Sequence, residues 1–390
     1  MGEELVIRDL KESTLNGWRE VSAEVDGDRI FFRAPLEHNL EARGESFIGI
    51  GLLEAMARNV DIKIDDAIPI SAKLHRILPR LQDIYACWNS DLHRVKVGCR
   101  FDSTDNRYER VTSYYSGGVD GSYTLCRNMD DITHLVMLSG FEIVNDRDSW
   151  LRAVEQQTGF ARSIGKELIP IETNARWWIA QRKIHWWFAH GLVLSSMGPL
   201  LRSKRIYIGS THTYKELFPW GSHPLTDPMW STESTEVIHD GCALRRSEKL
   251  RVICGNQKIL DNLKVCWRSI HQNCGECEKC IRTMTALCLL GASSRGIPKL
   301  DNLDKIKKLR ASEESSLTYL EDALILAKMA RNSKAQRILQ RQYSRYQIRE
   351  ALSILDEYML GGIFHRIYRS CRKPHDSKMR VALRGSQRQI

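Results

Sequence analysis

The sequence predicts an α/β fold built on a doubly wound, mostly parallel sheet, with a zinc-binding cysteine segment, a small N-terminal α+β domain and a C-terminal helical region. Three observations carry that expectation. Strand-like and helix-like runs alternate from about residue 106 to 295, short strands mix with two helical patterns before that, and after Pro298 apolar residues recur only at helical spacing. Residues 1–105 are therefore read as an accessory α+β domain, 106–295 as the α/β domain and 296–390 as a helical region with a basic tail.

In the first region the strands are WREVSAEV, RIFFRA and HRVKVGC, and the helical patterns are SFIGIGLLEAMARN and SAKLHRILPRLQDIYACWN. In the second, strand VTSYY is followed by a helix from Ser122, strand THLVMLSG by a helix near SWLRAVEQQTGFARSIG, and strand ELIPIE by the helix WWIAQRKIHWWFAHGLVLSS; strand RIYIGST comes next. Such alternation places ligands at the carboxyl ends of the strands. In the third region Leu317, Leu320, Leu324 and Ala327, then Ile348, Ala351, Leu352, Leu355 and Met359, mark helices.

A chain of 390 residues is long enough for two or three domains, and its formal charge of +10 suits an anionic partner such as a nucleotide, RNA, DNA or an acidic protein surface. No apolar run reaches membrane-spanning length, so no membrane partner is expected. The start MGEELVIRDL lacks a signal peptide's basic and apolar stretches, so the expected location is cytoplasmic. Eleven cysteines in a reducing compartment point to metal or catalysis rather than disulfides.

Two motifs carry chemistry. Between the first strand of the alternating region and its helix stand Ser116, Gly117, Gly118, Val119, Asp120, Gly121 and Ser122. Glycines let successive N–H groups converge on one anion, the helix adds the positive end of its dipole, and Asp120 can hold Mg²⁺. The bland alternative is an ordinary turn. The loop lacks the Gly-Lys-Ser/Thr of a Walker loop, so γ-phosphoryl cleavage is not expected. The second motif is Cys266, Cys274, Cys277 and Cys280, spaced C-x7-C-x2-C-x2-C. Four thiolates at this spacing suit a closed tetrahedral zinc site with a structural role, with an iron–sulfur cluster as the main rival.

SGGVDG resembles the SGGxDS signature of the N-type ATP pyrophosphatases, whose PP-loop, HUP-like domain grips the pyrophosphate of ATP while a substrate oxygen attacks the α-phosphorus. Gly121 stands where that family usually has serine, and Ser122 follows one place late. A PP-loop followed by the four spaced cysteines resembles the QueC family of 7-cyano-7-deazaguanine synthases over residues 106–295, with RIYIGST and RRSEKL as further matching segments. The resemblance implies ATP with Mg²⁺, structural Zn²⁺ and a deazaguanine-type carboxylate that is adenylated and then joined to nitrogen. It also implies that Asp120 and Lys249 are catalytic, with Ser116, Gly117, Gly118, Val119, Gly121, Ser122, Arg245 and Arg246 around ATP. For Arg245 and Arg246 a solvated helix face is the plainer reading.

Other candidates are weaker. In WSTESTEVIHDG, read as a loop, Glu233 or Asp240 could receive N–H groups of a guanine-like ring, or simply cap the loop. Trp177–Trp178 and Trp186–Trp187 could stack on a base, although Ile184, Trp187, Phe188, Gly191, Leu192 and Ser195 recur as a packing face. His212, just after a strand end, could be a polar pocket group, with an ordinary loop histidine the plainer reading. Cys126 is a lone thiol near the loop. Three functions follow in order: an amide-forming enzyme that conjugates the acid to an amine on a partner protein, as resembles QueC-like proteins of antiviral gene clusters; a nitrile-forming ligase using ammonia; and a nucleic-acid binding or modifying protein, suggested by the basic RIYRSCRK and KMRVALRGSQRQ.

Overall fold

A computed structural model describes residues 4–139, 147–182, 184–269, 271–309 and 314–360. The basic stretches RIYRSCRK and KMRVALRGSQRQ lie outside the described residues. The chain divides into two compact units, Met1–Asn273 and Cys274–Ile390.

The first unit opens with an antiparallel meander of β1 (Leu5–Leu15), β2 (Trp18–Val25) and β3 (Asp28–Pro35). Its turns are Asn16–Gly17 and Asp26–Gly27, with both residues of each at positive φ. Two such residues give the tight turn whose twist matches that of a hairpin. Helix α1 (Glu45–Arg58) follows, and α2 (Ala72–Trp88) begins where the Ser71 hydroxyl accepts the Leu74 N–H at 3.0 Å. The short strands β4 (Ile62–Ile64), β5 (Ile70–Ser71), β6 (Val97–Gly98) and β7 (Phe101–Asp102) flank α2 in sequence. The alternating segment is β8 (Arg110–Tyr114), α3 (Val119–Arg127), β9 (His134–Leu138), α4 (Arg147–Ser163), β10 (Glu167–Thr173), α5 (Ala175–Gln181), α6 (Trp186–Ser196), β11 (Ser203–Gly209) and β12 (Glu236–Asp240). Helices α7 (Arg246–Ile253) and α8 (Gln257–Asp261) come after it.

Several elements differ from the sequence reading: β1 is an additional strand, and the run HRVKVGC forms a strand only at Val97–Gly98. The single helix expected over 177–196 is two, α5 packing on β3 and α1 and α6 packing on α1. The segment expected to be a loop over 230–241 contains β12, which pairs in parallel with β11 from Arg205↔Glu236 to Gly209↔Asp240.

Ten strands form one mostly parallel sheet in the order β12-β11-β8-β9-β10-β3-β2-β1-β4-β6. Pairing is parallel from β12 to β10 and antiparallel from β10 through β3 and β2 to β1. Strands from both sides of residue 105 thus share the sheet, joined where Glu172 and Thr173 oppose Arg33 and Phe32. Within the five parallel strands β8 is central. The chain winds outward through β9 and β10, then returns to β8's other side for β11 and β12. Strand order therefore reverses between β8 and β11, the position at which open α/β sheets place a ligand crevice. One apolar core runs beneath the sheet from Leu5 and Ile7 through Ile169 and Ile171 to Ile206 and Val237.

The second unit holds α9 (Glu278–Leu290), α10 (Glu314–Met329) and α11 (Ser333–Leu360), with α10 packed on α11. Leu320, Leu324 and Ala327 are buried, as their spacing suggests, whereas Ile348, Leu352, Leu355 and Met359 on α11 are exposed.

Candidate functional site

The loop between β8 and α3 lies at the reversal of strand order. Ser116 is exposed at its tip. Gly117 adopts φ +78°, and its carbonyl accepts the Lys264 N–H at 2.8 Å. Gly118 is the extended cap of α3, so the helix's first N–H groups open toward the loop. Val119 is 1 % exposed and Ser122 is fully buried, so both side chains face the interior rather than the loop's mouth.

Gly121 has a packing reason to be glycine. A Cβ there would stand 2.9 Å from the Tyr114 carbonyl oxygen, a main-chain atom held in the sheet. At the end of β11, a Cβ on Gly209 would stand 2.9 Å from the Asp120 carbonyl carbon. The start of α3 is therefore wedged between β8 and β11, the kind of close helix–strand approach that glycine permits.

Helix α7 closes the site from the other side. Arg246 and Lys249, three residues apart, share a face and reach the same carboxylate: Lys249 Nζ is 3.2 Å from Asp120 Oδ1, and Arg246 Nη1 is 3.3 Å from Oδ2. Lys249 is only 1 % exposed, donates also to the Ser210 carbonyl and lies 5.8 Å from the Tyr123 ring centroid. A lysine this buried departs from a solvated helix face, and burying such a group is costly without partners of this kind. Two cations against one carboxylate leave the mouth positive. Arg245 stands apart from this pair: its backbone N–H donates to the Glu248 carboxylate at 2.7 Å and closes the first turn of α7.

Past β11, His212 meets Phe218 edge-on at 4.6 Å and Trp220 at 5.6 Å, and Trp220 stacks on Trp187 at 4.8 Å. Burial pushes the His212 pKa down to about 4, Asp120 opposing and Lys249 adding to the shift, so the imidazole is neutral at pH 7. This histidine is part of the site's wall. Glu233 lies elsewhere: it accepts from the Lys73 N–H at 2.7 Å and from the Ser71 hydroxyl, at the start of α2. Asp240 accepts from Thr124 of α3 at 2.9 Å and pairs with Arg127 at 3.5 Å. Trp178 is a core residue, Trp177 is exposed, and Trp186 packs against Arg176 at 5.3 Å. Burial pushes Cys126 up to about 12, which disfavours its thiolate.

Sequence reasoning passed over two groups. Lys264 presses its stem against Gly117 and donates from Nζ to the His271 carbonyl at 2.7 Å. A buried cluster of Asp227, His239 and Cys242 lies beside Ser210.

The sulfurs of Cys266, Cys274, Cys277 and Cys280 all lie within 4.8 Å of one another and could hold a metal ion such as zinc. Cys274 Sγ and Cys280 Sγ are 4.0 Å apart, close to the ~3.8 Å edge that ~2.3 Å Zn–S bonds give a tetrahedron. Gly275 at φ +70° turns the chain so that the N–H groups of Glu276 and Cys277 reach Cys274 Sγ at 3.4 and 3.3 Å, while Arg268 N–H reaches Cys266 Sγ at 3.3 Å. Backbone N–H groups aimed at sulfur favour thiolate and orient it. The chain matches no protein-family model, no curated protein and no solved structure.

Proposed function

We propose that the protein is an ATP-dependent, amide-forming enzyme of the QueC-like PP-loop type. On this reading it adenylates a 7-carboxy-7-deazaguanine-like acid, releases pyrophosphate, and joins the acyl group to an amine on a partner protein. The observation that carries the reading is the placement of Asp120 between buried Lys249 and Arg246, at the reversal of strand order, beneath the helix-opening loop 116–118.

Each part has a task. Amides at the start of α3 would receive the β and γ phosphates, and the spare positive charge of Lys249 and Arg246 would stabilise charge as the bond to the α-phosphorus breaks. Asp120 would be the carboxylate that holds Mg²⁺, which when bound would neutralise charge on the departing pyrophosphate. Attack by the substrate carboxylate forms a mixed anhydride with AMP. That gives an amine a leaving group to displace. The aromatic wall of His212, Phe218 and Trp220 suits a planar ring. The four cysteines would hold zinc with no open coordination position, in a structural role.

A protein acceptor is favoured by a groove of about 460 Å³ that combines Lys73, Arg76 and Arg80 with apolar Ile77, Leu225 and Met229. Cations around an apolar floor fit an acidic chain segment and serve ammonia in no way. The test is incubation with ATP, Mg²⁺ and 7-carboxy-7-deazaguanine. AMP and pyrophosphate are expected. ADP and orthophosphate would refute the reading, and a free nitrile made from ammonia would replace the protein acceptor.

A further inference from the structure

Hydrogen bonds tie the loop that opens α3 to the segment leading into Cys266. Gly117 is buried against residues 262–264: its carbonyl accepts the Lys264 N–H at 2.8 Å, and a Cβ there would stand 3.0 Å from the Lys264 stem and 3.2 Å from the Asn262 carbonyl oxygen. In a planar trans peptide the carbonyl and the following N–H point in opposite directions. Holding the Gly117 carbonyl against Lys264 therefore turns the Gly118 N–H the other way, and that N–H has no partner among the described residues. Tyr115, just before the loop, is held from the same segment. The Asn262 side chain donates to its hydroxyl at 2.9 Å and to Gln157 Oε1 at 2.8 Å.

The segment is in turn fixed from the cysteine side. Three consecutive residues bond to the run between Cys266 and Cys274: the Leu263 carbonyl accepts from the Asn273 side chain at 2.7 Å, Lys264 Nζ donates to the His271 carbonyl at 2.7 Å, and the Val265 N–H donates to Asn273 Oδ1 at 2.9 Å. One carboxamide thus braces both flanks of Lys264. Leu263 is fully buried and Val265 nearly so, which seats the segment in the core. Val265 immediately precedes Cys266, and Asn273 immediately precedes Cys274. An ion bonded to both sulfurs would close the run between them and hold Asn273 opposite Val265. Without that closure, the entropy of closing the loop falls on these weaker bonds alone.

We infer that Asn273 is a positioning residue for the anion-binding loop: through residues 263–265 it holds Lys264 against Gly117, so that the state of the four-cysteine site sets the direction of the Gly118 N–H. The site then does more than support the fold around it. It keeps one donor of the loop aimed at the ligand. That the ligand is the pyrophosphate portion of ATP rests on the adenylating function proposed above; the tie between Asn273 and the loop does not.

The experiment compares the full wild-type chain with Asn273→Ala, both in excess zinc and well below their melting temperatures, with the chelated wild type alongside. Hydrogen exchange is followed by mass spectrometry, and binding of inorganic pyrophosphate with Mg²⁺ by calorimetry. Asn273→Ala keeps all four cysteines, so its zinc content should equal that of the wild type. Exchange over residues 115–122 should nevertheless rise about tenfold or more while β1–β3 stay unchanged, and pyrophosphate should bind about tenfold or more weakly. Chelation should give the same pattern in the loop. Loop exchange in zinc-loaded Asn273→Ala equal to that of the wild type overturns the inference, whatever the chelated chain does, and so does an equal rise in β1–β3. If the wild type neither binds pyrophosphate nor releases it from ATP, the adenylating function falls, and the exchange measurement alone decides the role of Asn273.

Discussion

Placing serine at position 121, as in the motif that SGGVDG resembles, should damage the protein. The Cβ added by Gly121→Ala or Gly121→Ser would meet the Tyr114 carbonyl oxygen at 2.9 Å and the Tyr115 Cα at 3.7 Å. Both are main-chain atoms, so relief requires α3 to move off β8. Replacing a helical glycine with alanine is worth about 1 kcal/mol in propensity, whereas overpacking a well-filled site costs about 1–3 kcal/mol. Overpacking should win by up to about 2 kcal/mol, which lowers the melting temperature by up to about 8 °C in a domain of this size. Any shift of α3 also carries Asp120 away from Lys249 and Arg246, so pyrophosphate release should fall along with stability. Gly209→Ala pushes on Asp120 from the opposite strand, and its effect should not add simply to that at 121. The assay is a thermal melt of each variant with pyrophosphate release measured in parallel. A Gly121→Ser protein that melts at or above the wild-type temperature and turns over as fast would refute the clash argument.

Other outcomes can be checked independently. Asp120→Asn should lose about a hundredfold or more in pyrophosphate release, and Asp120→Ala should also lower the melting temperature, because buried Lys249 is then left without its carboxylate. Lys249→Met removes the buried charge itself, so it should cost less stability than Asp120→Ala while reducing turnover about as much; equal wild-type turnover would remove Lys249 from the site. The purified protein should carry about one zinc per chain by elemental analysis, and Cys277→Ser or a strong chelator should lower both zinc content and melting temperature; iron with visible absorbance would favour a cluster instead. Stability should peak near pH 6.5. His239, pushed up to about 9, contributes fully below about 6.5 and loses its contribution as pH rises through about 9, whereas His212 and His223, held down near 4 by burial, contribute above about 6.5 and lose it as pH falls through about 4. A melting temperature that does not decline toward alkaline pH, or a decline that Asp227→Asn leaves unchanged, would count against the ion pair.

What could be read from the sequence were the features whose cause is local. The β8–loop–α3 unit announced itself because a glycine-rich turn joins an apolar run to a helical one, and the four cysteines because metal geometry fixes their spacing. Residues Arg246 and Lys249 were visible as a charged pair three apart, but their burial was not, since it depends on Asp120 and Ser210 arriving from other elements. β12 was hidden because its burial does not follow a clean alternation and its neighbourhood is rich in hydroxyls and carboxylates. Glu233 looked like a ligand for a ring and instead binds the start of α2, a partner 160 residues away. The role of Gly121 was misleading in sequence: comparison with a motif suggested a lost hydroxyl, whereas the constraint is a carbonyl oxygen of the preceding strand. Asp227 and His239 carry no motif, because their carboxylate and imidazole meet only once β12 is in place.

The antiparallel join between β3 and β10 bears on how the chain is made. β3 emerges from the ribosome more than a hundred residues before the strand it needs, and until β10 appears its outer edge has no partner. Arg33 and Phe31 wait likewise, the one for Glu172 at 2.8 Å and the other, through its N–H, for Asn174 at 3.0 Å. Closure therefore bridges a long loop, the slow kind of contact. A nascent chain stalled between these strands would expose a pairing edge to its neighbours. The same bond makes residues 1–105 more than an appendage: cut away, they would leave β10 with a bare flank, and the remainder should gather through that edge into soluble oligomers or aggregate.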